Sequence, residues 1–367
     1  MDKFIPGLEL SGKLFQLAIE PIMQKVFPQI EYSAARLDYG SDVLGFDTPM
    51  SMDHGWGPRL TLYFLENHYK NYQNQVSDYF ANHLPFDIQG FPTNFAEPYA
   101  DGGVMAYKDS YPIHHMVTIT TPEKWFSDYL GVDINDPFSP TTWLTIPQQR
   151  LATLQAGQIY YDGLGHLSEI RQRFDWYPRD IWLYILANQW KRIDQDEPFV
   201  GRTGIVNDLL GSSLIGARLV QDLMRLGFLM NKTYIPYRKW FGSAFKGLSI
   251  AEKITPILNE ILNSDNWQER EKHLNKAYLF FGEEHNKLGI TPYIKPELSN
   301  FHSRPFIVPH SARFADALLG QIEDPEVKSL PPYLGCIDQI CDNTDVLEDI
   351  DQCKKFQILF KSRSTTK

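Results

Sequence analysis

The sequence predicts an α+β fold: a mixed sheet flanked by helices over residues 1–150, a mainly α-helical bundle over 151–345, and a C-terminal tail over 346–367. Three observations predict it. At 367 residues the chain exceeds the usual size of one core, which argues for two domains. The first 150 residues mix period-2 strands with 3.6-period helices, an order that builds a layered α/β or α+β domain. From Leu151 onward the helical period dominates.

The elements run in chain order. Leu8, Leu14, Phe15, Leu17, Ala18, Ile22 and Val26 recur at helical spacing over Gly7 to Val26, and Pro28 closes that helix. Glu31 to Asp38 reads as a strand entering a Gly40-Ser41 turn. Arg59 to Leu65 is a second strand, with Leu60, Leu62 and Phe64 on one face. A helix is expected over Asn67–Asn82, an irregular Pro/Gly-rich passage over Pro85 to Gly103, and a strand over His114 to Thr120. Thr121-Pro122-Glu123 has the chemistry of a helix start: a capping hydroxyl, proline at the first position and an acid in the first turn. Beyond it, helices are expected at Pro178–Ile193, Gly204–Met230, Ile254–Leu262, Trp267–Leu288 and Arg313–Ile322. The segment Asp342 to Lys367 reads as a tail, acidic and then basic, poorly packed at its end.

Composition bounds the function. A net charge of −10 argues against an extended nucleic-acid surface, because phosphate neutralisation needs clustered Lys and Arg. A small nucleotide that brings its own magnesium stays open. Aromatics at 14% predict well-filled cores, with ring-lined ligand pockets as the alternative. Three cysteines, Cys336, Cys341 and Cys353, show neither a disulfide framework nor zinc spacing, and the Cys336/Cys341 pair reads as structural thiols. The N-terminus lacks a signal-peptide pattern, and no run approaches the ~18 apolar residues of a spanning helix. The expected location is cytoplasmic.

The chemistry concentrates between Tyr39 and Arg59: a strand, the Gly40-Ser41 turn, Gly45, Ser51 and Asp53 ahead of the next strand. This segment resembles the signature of the polymerase-beta-like nucleotidyltransferase superfamily. The resemblance implies that Gly40 and Ser41 open a helix whose amides hold the phosphates of a nucleoside triphosphate. It also implies that Asp53 ligates Mg2+ in an Asp-x-Asp pair on the following strand. Carboxylates at i and i+2 of a strand share one face and bridge a metal pair that stabilises nucleotidyl transfer. Two departures stand out. Gly55 occupies the second acidic position, and His114–Thr120, the candidate for the third, contains no acid. Asp38, Asp42 and Asp47 are the neighbours available to fill in.

A wider resemblance rests on Gly40-Ser-Asp-Val-Leu-Gly-Phe-Asp47, Asp53-His-Gly-Trp-Gly-Pro-Arg59, Gln189-Trp190, Pro198-Phe-Val-Gly-Arg202, Pro236-Tyr-Arg-Lys-Trp-Phe-Gly242, Arg304-Pro-Phe306 and Gly335–Val346. Together they are similar to a poorly characterised family in which a nucleotidyltransferase-like domain precedes a helical domain of unknown function. The implied activity is transfer of a nucleoside monophosphate to a hydroxyl of a small-molecule or protein acceptor. The alternative is a degenerate nucleotide- or ligand-binding module, or another chemistry in the same interdomain cleft.

Several residues carry two readings. Arg59 either clamps a phosphate or pairs with Asp53. His54 reads as a hydrogen-bonding residue, with a metal role as the alternative, and only one of His114 and His115 can face a site. Lys239 and Trp240, beside Arg238 and Phe241, either stack and neutralise a nucleotide or form a packed corner. Arg202 is similarly open. Arg218, Asp222 and Arg225, at i, i+4 and i+7, read as an intrahelical salt-bridge row, against arginines aimed at a bound anion.

Overall fold

A computed structural model describes residues 4–96 and 103–361. Helix α1 (Gly7–Leu14) runs through a π-helical stretch, Phe15–Ile19, into α2 (Glu20–Val26). Strands β1 (Tyr32–Arg36) and β2 (Arg59–Phe64) come next, then α3 (Glu66–His83), the two-residue strands β3 (Asp87–Ile88) and β4 (Phe91–Pro92), and β5 (Met116–Thr120). The rest of the Pro/Gly-rich passage includes residues 97–102, which lie outside the described residues. Beyond β5 stand α4 (Pro122–Leu130), α5 (Pro140–Thr145), α6 (Gln148–Ala156), β6 (Gln158–Asp162) and α7 (Leu167–Gln172). The helices after these include α8 (Arg179–Asp196), α9 (Phe199–Ile205), α10 (Leu209–Met230), α11 (Phe241–Phe245), α12 (Ala251–Asn263), α13 (Trp267–Lys287) and α14 (Ala312–Leu319). The chain is α+β, and it divides into two compact units: Met1–Pro137 with Gln149–Asp175, and Phe138–Gln148 with Trp176–Lys367.

In the first unit four strands form a mixed sheet in the order β5-β2-β1-β6. β1 and β2 are antiparallel, with Ala34 opposite Leu62. β5 lies parallel to β2, Leu60 opposite Val117, because α3 carries the chain back in a crossover. Leu60, Leu62 and Phe64 enter a core with Leu10, Leu14, Ile19, Val76 and Phe80, as their alternation predicts. Thr121 caps α4 by accepting from the Lys124 amide at 3.1 Å.

The helical period expected from Leu151 is interrupted by β6, which pairs antiparallel with β1. Gly157 ends the preceding helix at a point where a Cβ would lie 2.3 Å from the Arg36 carbonyl oxygen. The Ile159-Tyr160-Tyr161 run then favours a pleated surface over a helix.

In the second unit α8 is buried on nearly every side from Ile181 to Trp190. The Trp190 ring stacks on Phe314 at 4.4 Å, and its Nε1 donates to His285 Nδ1 at 3.2 Å. Gln189 donates to Asp222 Oδ1 and accepts from Gln339, so the Gln189-Trp190 pair is core structure. Gly201 packs against the Phe306 ring, where a Cβ would sit at 2.4 Å; this joins two of the family-like motifs by contact.

Two expectations change here. The helix expected from Gly204 to Met230 is broken: α9 ends at Ile205 and α10 starts at Leu209, because Asn207 turns left-handed at φ 65° and Asp208 caps the new helix through Gly211. The C-terminal segment is also more ordered than its charge suggests. Thr344–Glu348 and Ile350–Lys355 are helical, and Ile350, Cys353 and Phe360 are buried. Residues 362–367 lie outside the described residues. Among the described residues no helix is long and apolar enough to cross a membrane.

Candidate functional site

The Gly40-Ser41 segment leaves β1 at Arg36 and returns to β2 at Arg59. Gly40 adopts φ +140°, and a Cβ there would lie 2.0 Å from Asp42 Oδ1. A Cβ on Gly7 would lie 2.5 Å from Asp42 Cβ. Both glycines therefore make room for Asp42, which folds back under the turn. Past Ser41 the backbone makes one hydrogen-bonded turn, with Leu44 N–H to Gly40 O at 3.3 Å and Phe46 N–H to Ser41 O at 2.9 Å. The helix that the resemblance implies after Gly-Ser does not extend beyond that turn.

Two arginines and two aspartates meet at this turn. Arg36 and Arg59 are 1% and 4% exposed. Arg36 pairs with Asp38 and donates to Asp42 Oδ2 at 3.1 Å. Arg59 lies 3.7 Å from Asp38 Oδ2 and 3.9 Å from Asp42 Oδ1. Both donate to the Tyr39 carbonyl oxygen, at 3.1 and 2.9 Å, and the Tyr39 ring sits 4.6 Å from the Arg59 guanidinium. The quartet balances its own charge, which is how buried guanidinium and carboxylate groups are kept. Of the two partners weighed for Arg59, Asp53 is not the one that the folded chain uses: Arg59 pairs with Asp38 and Asp42.

Asp47 is also committed. Its Oδ2 accepts from the Gly7 amide at 2.8 Å, at the start of α1, and from Trp56 Nε1 at 2.9 Å. Trp56 is buried, stacked on Phe4 and edge-on to Phe91. Gly57, at φ +144°, touches Phe95 and Met105. Most of the Asp53–Arg59 motif is thus used for packing.

Asp53 lies apart from these groups. It is exposed in a turn closed by Trp56 N–H to Asp53 O at 3.3 Å, and β2 begins only at Arg59. Residues 53 and 55 are therefore not strand neighbours on one face, and Gly55 stands at φ 65°. Among the described residues no three His, Cys, Asp or Glu side chains group so as to hold a metal ion. A two-magnesium site needs convergent carboxylates. Here Asp38, Asp42 and Asp47 are engaged and Asp53 is solitary, so the residues present do not fit that group.

Tyr63, on the same face of β2 as Arg59, and Tyr129 are held above the usual phenol range by burial. The Tyr129 hydroxyl meets Thr153 Oγ1 at 2.5 Å. His115 precedes β5 instead of lying within it. It turns toward α3, 3.0 Å from the Ser77 carbonyl oxygen, and burial lowers its pKa; His114 is exposed. Sequence reasoning missed Arg36, whose signal was the one charged residue in β1.

In the helical unit, Lys239 and Trp240 form a short 3-10 turn, Arg238–Trp240. Lys239 Nζ is 4.9 Å from the Trp240 ring, and Trp240 Nε1 donates to the Tyr237 hydroxyl at 2.8 Å. Phe241 packs on Phe228. Arg202 lies within α9, over Phe199. The expected row of Arg218, Asp222 and Arg225 is not intrahelical. Arg218 pairs with Asp196, Asp222 with Arg192, and Arg225 donates to the Asp338 carbonyl oxygen, because α8 and the Gly335–Val346 stretch offer closer partners. Cys336 and Cys353 are buried and Cys341 partly so; burial pushes the Cys336 thiol up to about 12.

A family described as a domain of unknown function, DUF4037, matches residues 143–241. The matched stretch takes in Gln189-Trp190, Pro198–Arg202 and the Lys239-Trp240 corner, and leaves Gly40–Arg59 outside. A search of curated proteins finds no match.

Proposed function

We propose that the chain is a nucleotidyltransferase-like binding module, taking a nucleotide or similar small ligand without two-metal catalysis. One observation carries this reading: the acids around the Gly40-Ser41 turn are bound to Arg36, Arg59, the Gly7 amide and Trp56, which leaves Asp53 alone on an exposed turn. A lone carboxylate cannot hold the pair of metal ions that two-metal transfer requires, because that site needs convergent carboxylates.

Calorimetric titration of ATP with and without magnesium, on the parent and on Asp53→Ala, tests it. The expected result is equal affinity in all four titrations. Magnesium-dependent binding that disappears in Asp53→Ala would overturn the proposal and support the second reading, a magnesium-dependent transferase. That reading draws on the exposure of Asp53, whose carboxylate has no ion pair among the described residues. Absence of ATP binding under every condition would remove both.

A further inference from the structure

Buried polar atoms without partners gather where α8, α10 and α13 pack together. A Cβ on Gly216 would touch the Arg270 side chain at 2.5 Å and one on Gly227 the Phe281 ring at 3.6 Å, so α10 and α13 run side by side in one direction. α8 runs the other way: Trp182 Nε1 donates to the Leu229 carbonyl oxygen at 2.9 Å, and Asp196 pairs with Arg218 at 2.8 Å. Trp190 donates to His285, and the step from His285 back to Tyr278 equals the step from Trp190 forward to Glu197. Tyr278 leans toward the N-terminus of α13, as helical side chains do. Its hydroxyl therefore comes level with Asp222 on α10 and with Asp196 and Glu197 on α8.

Tyr278 is 3% exposed and Asp222 2%. The Tyr278 hydroxyl and Asp222 Oδ2 each lack a hydrogen-bond partner among the described residues, although buried polar atoms are ordinarily paired. Asn275 Oδ1, one turn before Tyr278 on the same face of α13, is in the same position. Burial, and after it the charges of Glu197, Asp196, Glu271 and Asp222, raise the Tyr278 phenol well above its ordinary range, so four carboxylates lie within electrostatic reach of one hydroxyl.

Charge decides what these oxygens suit. Arg192 pairs with Asp222 Oδ1 at 3.1 Å, and Arg218 with Asp196. Glu197 and half-buried Glu271 have no cation partner among the described residues; each accepts a backbone amide, from Ser311 at 3.2 Å and Ile307 at 3.3 Å. A proton on Glu197, which burial favours, still leaves one carboxylate charge in excess. Water would satisfy the bare oxygens and leave that charge uncompensated. A single positive charge answers both needs. Among the described residues no three His, Cys, Asp or Glu side chains converge on a metal, which disfavours a divalent ion. A monovalent ion is instead held by oxygen dipoles that replace its hydration shell.

We propose that Asp222, Tyr278 and Asn275 hold a sodium or potassium ion inside the helical unit. Thermal unfolding of the full chain in potassium, sodium and tetramethylammonium chloride at equal ionic strength tests it, the last cation being too large for the site. The parent midpoint is expected to lie about 3 °C or more higher in potassium or sodium than in tetramethylammonium, since an ion bound only by the native state stabilises it. Tyr278→Phe removes one oxygen and keeps the ring, and Asp222→Asn removes the charge; each is expected to bring the three midpoints together. Glu252→Gln, at an exposed position of α12, is expected to leave the difference intact. Equal parent midpoints in all three salts would overturn the proposal. So would a difference that survives in Tyr278→Phe, because the ion would then bind elsewhere.

Discussion

Asp47 joins three parts of the chain through one oxygen atom: the first turn of α1, the Gly40–Asp47 loop and the Trp56 indole. Its charge also sits at a helix N-terminus, where an anion is favoured. Asp47→Ala strands two donors at once, so a loss of about 2–4 kcal/mol is expected. Urea unfolding would show it as a lower midpoint at unchanged slope. A loss within experimental error would mean that water replaces the carboxylate at both donors. Gly40 is the complementary case. Its role here is backbone geometry and space for Asp42, so Gly40→Ala is expected to destabilise the fold even in the absence of any ligand.

At the scale of elements, the predictable pieces were those in which local chemistry and packing agree. Thr121-Pro122-Glu123 announced α4, and the hydroxyl does cap it; Thr121→Ala is expected to cost about 1 kcal/mol in the same unfolding measurement. The alternation of Leu60, Leu62 and Phe64 announced β2 because one face of that strand fills a core. The pieces that escaped depend on partners distant in sequence. β6 needs β1, more than a hundred residues earlier, to be a strand at all. The break before α10 turns on Asn207 and Asp208, whose left-handed and capping roles look like ordinary helix-surface polarity in one dimension. The site was legible in part. The Gly-Ser turn and the importance of Arg59 were visible, but the pairing of Arg59 with Asp38 and Asp42 was not. Spacing gives which carboxylates are near in sequence, and only the fold decides which of them an arginine reaches first.

At the scale of the whole molecule, buried ionisable groups set how stability responds to pH. Glu197, at the end of α8, accepts from the Ser311 amide at 3.2 Å. Burial pushes its carboxyl up to about 8 against the opposing Ser311 bonds, with the Asp194 charge adding to the rise. Because the folded value lies above the unfolded one, the native state holds a proton that the unfolded chain has released. Glu197 therefore favours folding at low pH, and that contribution is lost as pH rises toward 8. His285 acts in the opposite sense: burial pushes it down to about 4 from an ordinary 6.5, so its contribution is lost as pH falls through that interval. Asp338, raised by burial to about 6, has completed its change below neutrality. Between about pH 7 and 8, then, Glu197 is the group of these three whose folded and unfolded protonation differ most. Parent stability is expected to fall across this window by at most about 1.4 kcal/mol per pH unit. Glu197→Gln keeps an acceptor for Ser311 and removes the titration, so its profile should be flat over the same window and cross above the parent near pH 8. Denaturant midpoints at half-unit pH steps would decide it, and parallel profiles for the two proteins would show that Glu197 ionises as readily in the folded chain as in the unfolded one.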